Sequence, residues 1–331
     1  MKQVRVRALY RAALASGHSA PFNCISMKVY YPCAYSDSFE ERNTGAIPVD
    51  KGRCPLPVVI LMPGINISHE GYSWLATLLA ESGFAVVTYS WIGEDAGVGV
   101  SVTPGLNMKR LARRHYGRKP SSPAIKAILK ELKAMQADSL LKKQLRLDRI
   151  VLGGHSAGGT MALLNANHKW FPGIRGAFSY AAHTAANTAL GWPEGSIMPL
   201  SRDMPLLIMG GSHDGVIANS AHRYGDQENA SPTTAIERTF HEGVKGKRGG
   251  RHLLIVEGAN HFSFVHPLDT STGRPYLDQK AKGSKKKIRA YLGQVVLNFC
   301  DHVCNGDAMS AAEVQGLCDT RHPLAAIADH K

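Results

Sequence analysis

The sequence has no apolar run approaching the roughly 18–20 residues that cross a bilayer, so a membrane-spanning helix is not expected. It has no Cys-x-x-Cys, which removes the usual signature of a structural zinc site. It has neither a Gly-x-Gly-x-x-Gly followed by a suitable acid nor a glycine-rich loop ending in Lys-Ser/Thr, so the common nucleotide-phosphate cradles are missing. It shows no internal repeat. The basic start, Met1-Lys2-Gln3-Val4-Arg5-Val6-Arg7, lacks the apolar stretch of a signal peptide, and Arg11 interrupts the only candidate. On that reading a cytoplasmic location is expected, or a secreted or periplasmic one if a leader has been removed.

Acidic residues are outnumbered. The 331 residues carry 39 Lys and Arg against 26 Asp and Glu, a formal net charge of +13. The cations are scattered apart from one dense run, Lys280–Arg289, which reads as a solvated segment or helix start. No nucleic-acid motif accompanies the charge, so a nucleic-acid partner is not the favoured reading. Six cysteines fall in two groups of three near the ends, Cys24, Cys33 and Cys54, then Cys300, Cys304 and Cys318. Cys33–Cys54 and Cys304–Cys318 are candidate disulfides; reduced, mostly buried thiols are the alternative.

The apolar pattern reads as strands alternating with helices. Cys24–Tyr31 alternates, as an antiparallel strand near a sheet edge does. Val58–Met62 is continuously apolar, as in a strand covered on both faces. A helix carrying Trp74, Leu75, Leu78 and Leu79 leads to Gly83 and a strand over Phe84–Tyr89, which completes a βαβ unit. Residues 93–121 are an irregular excursion and a candidate lid. Ser122-Pro123 starts a helix with Ile125, Ile128, Leu129, Leu132 and Met135 at helical spacing. A second amphipathic stretch around Leu140–Leu147 leads to the strand Arg149–Leu152. Further strands are expected at Ile174–Tyr180, Met204–Met209 and His252–Val256, and a closing helix over 284–304. These spans predict an α/β protein with a mostly parallel sheet and helices on both faces. Its domain is expected to cover 23–304, between an N-terminal arm or short first strand (1–22) and a tail (305–331).

Ligands of such sheets collect at the carboxyl ends of the strands. Three residues of complementary chemistry sit at those ends. Ser156 stands in Gly153-Gly154-His155-Ser156-Ala157-Gly158-Gly159, a Gly-x-Ser-x-Gly between strand and helix that reads as a nucleophile elbow. Asp214 ends Gly211-Ser212-His213-Asp214, and His261 ends Gly258-Ala259-Asn260-His261. A serine hydroxyl needs a base, which His261 would supply, and Asp214 would hold the imidazole in the useful tautomer. Asp203 lies before its strand, and His241, His252 and His266 fit the base position less well. The oxyanion of a tetrahedral intermediate would face the backbone N–H groups of Ala157 and Ile65. His155 is expected to buttress the elbow. Trp91, His183 and Trp192 follow strands on the same side and are candidate pocket residues; Trp74 and Trp170 are assigned to packing.

Through Pro57–Asn66, Gly154–Gly159, Gly211–Asp214 and Gly258–Phe262, the chain resembles the dienelactone-hydrolase-like, chlorophyllase and polyesterase group of α/β-hydrolases, over roughly residues 24–304. Many members carry His-Gly at the oxyanion loop, where this chain has Pro63-Gly64. Dienelactone hydrolases use cysteine, where this chain has Ser156. The resemblance implies the α/β-hydrolase fold and a serine esterase acting without metal or organic cofactor on a small to medium, fairly apolar ester. A lipase, amidase or acyltransferase with the same three residues, and an idle hydrolase fold that only binds, are the alternatives. The oligomeric state stays open.

Overall fold

The computed structural model describes residues 5–95, 99–224, 231–246 and 249–331. Residues 1–4 of the expected arm, 96–98 of the excursion, and 225–230 and 247–248 of the segment after Asp214 lie outside them.

Ten strands form one sheet among the described residues: β1 (Val6–Leu14), β2 (Cys24–Pro32), β3 (Leu56–Met62), β4 (Ala85–Asp95), β5 (Gly99–Val102), β6 (Leu145–His155), β7 (Ile174–Tyr180), β8 (Leu206–Gly211), β9 (Arg251–Val256) and β10 (Ala325–His330). Their order is β1-β2-β4-β3-β6-β7-β8-β9-β10, with β5 paired to β4 as a short hairpin arm. From β4 to β9 every neighbouring pair is parallel, and the outer pairs β1·β2, β2·β4 and β9·β10 are antiparallel. The protein is therefore an α/β protein with a mostly parallel sheet.

The burial of each strand follows its sequence. β3 is buried at every position, in keeping with its unbroken Leu-Pro-Val-Val-Ile-Leu-Met. β1 leaves Arg7, Tyr10, Ala12 and Leu14 exposed and buries Ala13, and its Arg11 donates to Glu131 at 2.7 Å. Both ends of the chain join the sheet. Residues 6–14, within the span given to an arm or a short strand, form the full-length β1, and residues 325–330, within the expected tail, form β10. The amphipathic stretch around 140–147 is a turn followed by the start of β6. The Gln136 side chain there accepts from the Leu145 N–H and donates to the Leu145 carbonyl at 3.0 and 2.7 Å, supplying the bonds that a neighbouring strand would.

The excursion is tied down at two places. Beyond β5 it forms a helical turn at Met108–Leu111, and its far end is held by Asn165, whose Oδ1 accepts the Ser121 and Ser122 N–H groups at 2.8 and 3.3 Å. No disulfide joins any of the six cysteines. No helix among the described residues is long and apolar enough to cross a membrane.

Candidate functional site

β6 ends at His155, and the helix Ala157–Asn165 begins two residues later, so Ser156 takes the whole reversal. Its φ of 54° and ψ of −127° lie where a residue with a Cβ is strained. Neighbouring contacts hold that strain: the Ser156 N–H donates to the Tyr180 carbonyl at 2.9 Å, and the Ser156 carbonyl accepts from Thr160 N–H at 3.0 Å. The turn also needs glycine on both sides. A Cβ at Gly154 would strike the Gly158 carbonyl, and one at Gly158 would strike the Met62 and Pro63 carbonyls. The elbow and the loop after β3 thus pack backbone to backbone. The position of a Cβ on Gly64 lies 3.3 Å from Ser156 Cβ.

The loop after β3 is held in a defined way. Asn66, at φ 58°, donates its N–H to the Val102 carbonyl at 2.9 Å and accepts the Val102 N–H on Oδ1 at 3.1 Å. That pair fastens the loop to β5. The Gly64 N–H donates to Tyr72 Oη at 2.9 Å. The N–H groups of Ile65 and Ala157 have no acceptor among the described residues.

Behind Ser156 runs a buried chain of hydrogen bonds. His155 Nε2 lies 3.0 Å from the His261 carbonyl, which can only accept, so Nε2 carries the proton. Burial, and then the nearby His261, hold His155 well below the ordinary imidazole range, so Nδ1 is bare. The Tyr72 hydroxyl at 3.1 Å must then donate to Nδ1, which leaves its oxygen to accept from Gly64. One line of bonds joins the loop after β3, the elbow and the backbone of His261. Sequence reading anticipated His155 as a buttress but gave no sign of Tyr72, a lone tyrosine at a helix start.

Asp214 ends the turn after β8 and caps the helix Gly215–Ser220, its Oδ1 accepting from Ile217 N–H at 2.8 Å. Both of its carboxylate oxygens face His261 Nδ1, at 3.0 and 2.8 Å, and both residues are buried. His261 opens the short turn His261–Phe264 after β9, and its ring centroid stands 4.9 Å from that of His155. Ser156, Asp214 and His261 therefore gather at the carboxyl ends of β6, β8 and β9.

A second carboxylate supports this arrangement and was not read from the sequence. Asp278 accepts the N–H groups of Gly215 at 3.0 Å and His261 at 3.3 Å on Oδ1, and that of Phe262 at 3.3 Å on Oδ2. It clamps the loop of Asp214 to the loop of His261 through their backbones. Burial, then the neighbouring Asp214, raise its carboxyl above the usual range. It sits in a polar stretch whose pattern carries no signal of such a role.

The three candidate pocket residues separate. Trp91 is fully buried in β4; its indole donates to the Phe22 carbonyl at 2.9 Å and its ring meets His18 edge-on at 4.9 Å. Trp192 donates to the Leu111 carbonyl at 2.9 Å and packs edge-on to Tyr116 at 5.3 Å. No hydrogen bond or ring contact joins either indole to Ser156, Asp214 or His261, and both serve packing. His183 is different. Thr160 Oγ1 donates to its carbonyl at 2.9 Å, its ring meets Tyr224 edge-on at 4.6 Å, and it feels the charges of Asp214 and His261. A cavity of about 790 Å³ between Met108–Arg118 and Ala189–Gly191, and one of about 440 Å³ beside Asn260–His266, do not include Ser156 in their walls.

Burial brings the imidazoles of His183 and His252 down to about 4 and holds that of His155 well below its ordinary range. In the unfolded chain each takes up its proton near pH 6.5. Between that pH and about 4 the unfolded chain binds more protons, so stability is intact above about 6.5 and is lost as the pH falls. Each group shifted to about 4 would cost about 3 kcal/mol at the acid end. The melting temperature is expected to drop steeply from pH 7 to pH 4.5, and His252→Gln, remote from Ser156, to flatten the slope. An unchanged slope in that variant would remove His252 from the explanation.

Among the described residues no cluster of three or more His, Cys, Asp or Glu could hold a metal ion. No protein-family model matches the chain, and no curated protein matches it.

Proposed function

We propose that the protein has the α/β-hydrolase fold and is a serine hydrolase that cleaves carboxylic esters of small to medium size through an acyl-enzyme. The observation that carries this reading is Ser156, strained at a strand-to-helix turn, with a buried Asp214–His261 pair opposite at 2.8 Å.

Asp214 accepts from Nδ1–H of His261, so the free Nε2 lone pair is available as a base. His261 takes the Ser156 proton as Oγ attacks the ester carbonyl, then returns it to the leaving alcohol. The negative charge that develops on the carbonyl oxygen meets the unspent N–H groups of Ile65 and Ala157. Both are preorganised, one by the Asn66–Val102 bonds and one by the helix start. Water, attacking with His261 again as base, releases the acid. An acceptor alcohol or amine in place of water would make the same site a transferase.

A fluorophosphonate probe should label the wild type and not Ser156→Ala, and p-nitrophenyl esters of graded acyl length should be turned over only by the wild type. Hydrolysis surviving in Ser156→Ala would sink the nucleophile; no labelling and no turnover at any length would favour a binding protein.

A further inference from the structure

The segment after Val265 returns over the site and brings a cation with it. The position of a Cβ on Gly273 lies 3.2 Å from Ile67 Cδ1, 3.9 Å from the Asn66 carbonyl oxygen and 4.0 Å from Phe262 Cε1. Gly273 therefore rests on the loop after β3 and on the residue that follows His261. Four residues beyond Arg274, Asp278 is the carboxylate that accepts the His261 N–H. Arg274 thus lies between a residue that touches the loop after β3 and one that holds the backbone of His261.

Its surroundings are unfavourable for a lone cation. The side chain is half-buried, and its charged and titratable neighbours are Arg223, Tyr224 and Tyr276. Among the described residues its guanidinium has no carboxylate partner and no hydrogen-bond acceptor. A partly desolvated cation beside a second cation costs free energy unless an anion joins it. Tyr224 leads inward from it: among the described residues the Tyr224 hydroxyl has no hydrogen-bond partner, and its ring packs on His183, whose Nδ1 is buried with no partner there. Among the described residues, Arg274, Tyr224 and His183 thus lead toward the Asp214–His261 pair with unspent hydrogen-bonding groups.

We propose that this run is a subsite for a carboxylate, and that the ester cleaved at Ser156 carries a free carboxylate on its acyl part. This rests on the serine-hydrolase reading and replaces a wholly apolar substrate with an acidic one. Arg274 supplies the planar fork that a carboxylate matches. Tyr224 and His183 line the approach.

The test compares two p-nitrophenyl esters of equal acyl length, the hemiglutarate and the valerate, on wild type, Arg274→Ala and Arg274→Lys. The wild type is expected to prefer the hemiglutarate in kcat/KM. Arg274→Ala should cut the ratio of the two by about 30-fold, chiefly through KM, as loss of a charged hydrogen bond does, and Arg274→Lys should restore part of it. A ratio that stays within about twofold of wild type in Arg274→Ala overturns the subsite. Calorimetric binding of monomethyl glutarate to Ser156→Ala, with and without Arg274→Ala, separates the two readings. Binding weakened about 30-fold by Arg274→Ala, with neither ester hydrolysed by the wild type, keeps the subsite and removes the hydrolase. Hydrolysis of both esters with an unmoved ratio keeps the hydrolase and removes the subsite.

Discussion

Replacing Asp214 with asparagine is expected to lower kcat on p-nitrophenyl butyrate by about 10⁴-fold while leaving the fold in place. The reason lies in which atoms each oxygen serves. Asp214 Oδ1 accepts from Ile217 N–H as a helix cap, and Oδ1 and Oδ2 both face His261 Nδ1. In the variant the amide oxygen keeps the cap, so the NH₂ group turns toward His261. Two donors cannot face each other, and His261 answers by moving its proton from Nδ1 to Nε2. The nitrogen that should take the Ser156 proton is then already occupied. Isothermal denaturation should show little change, because the cap persists and no buried charge is orphaned. Turnover retained at the wild-type rate would place the acid elsewhere.

The second large effect is expected from a single methyl. Gly158→Ala should destabilise the protein by about 3 kcal/mol and reduce kcat at least about 100-fold in the molecules that stay folded. The added carbon would collide with the carbonyl oxygens of Met62 and Pro63, backbone atoms with no rotamer to retreat into. Relief can come only by pushing the helix start away from the end of β3. That movement separates the N–H of Ala157 from the N–H of Ile65, the two donors that the proposed mechanism aims at one oxygen. Gly316→Ala is the control: the Cβ position at Gly316 meets nothing within 4 Å, and the helix Ala308–Leu317 should gain about 0.5–1 kcal/mol. Urea denaturation and kcat measured on both variants check the pair; equal stability of the two would remove the collision argument.

The sequence signalled what repeats along the chain and what sits at strand ends. Five of the six central strands show as apolar runs because burial favours apolar over polar side chains, and the run before Ser156 marks the sixth. Ser156, Asp214 and His261 stand out because each follows such a run directly. β10 gave no such signal, because its Ala-Ala-Ile-Ala-Asp-His is edge-like and only partly buried. The length of β4 was also underestimated, since its outer half leaves the parallel core and pairs with β5. Tyr72, Asp278 and Arg274 are placed by loops, and a loop's contacts are set by distant parts of the chain: Tyr72 meets a partner 83 residues away and Asp278 one 63 residues away. No local pattern encodes those meetings. Trp91 misled in the other direction, since an aromatic at a strand end looks alike whether it lines a cleft or fills a gap against Gly105.

The strand order has a practical side as well. β1 and β10 stand at opposite rims of the sheet, and each shields a neighbour whose outward row of N–H and C=O groups would otherwise be open. Trimming residues 325–330 would leave Ser156, Asp214 and His261 untouched in sequence yet turn β9 into a sticky border, ready to zip onto another molecule. His261 stands on the turn that follows β9. Self-association at that border and loss of a well-aimed imidazole would then arrive together, although the deletion removes no residue of the site.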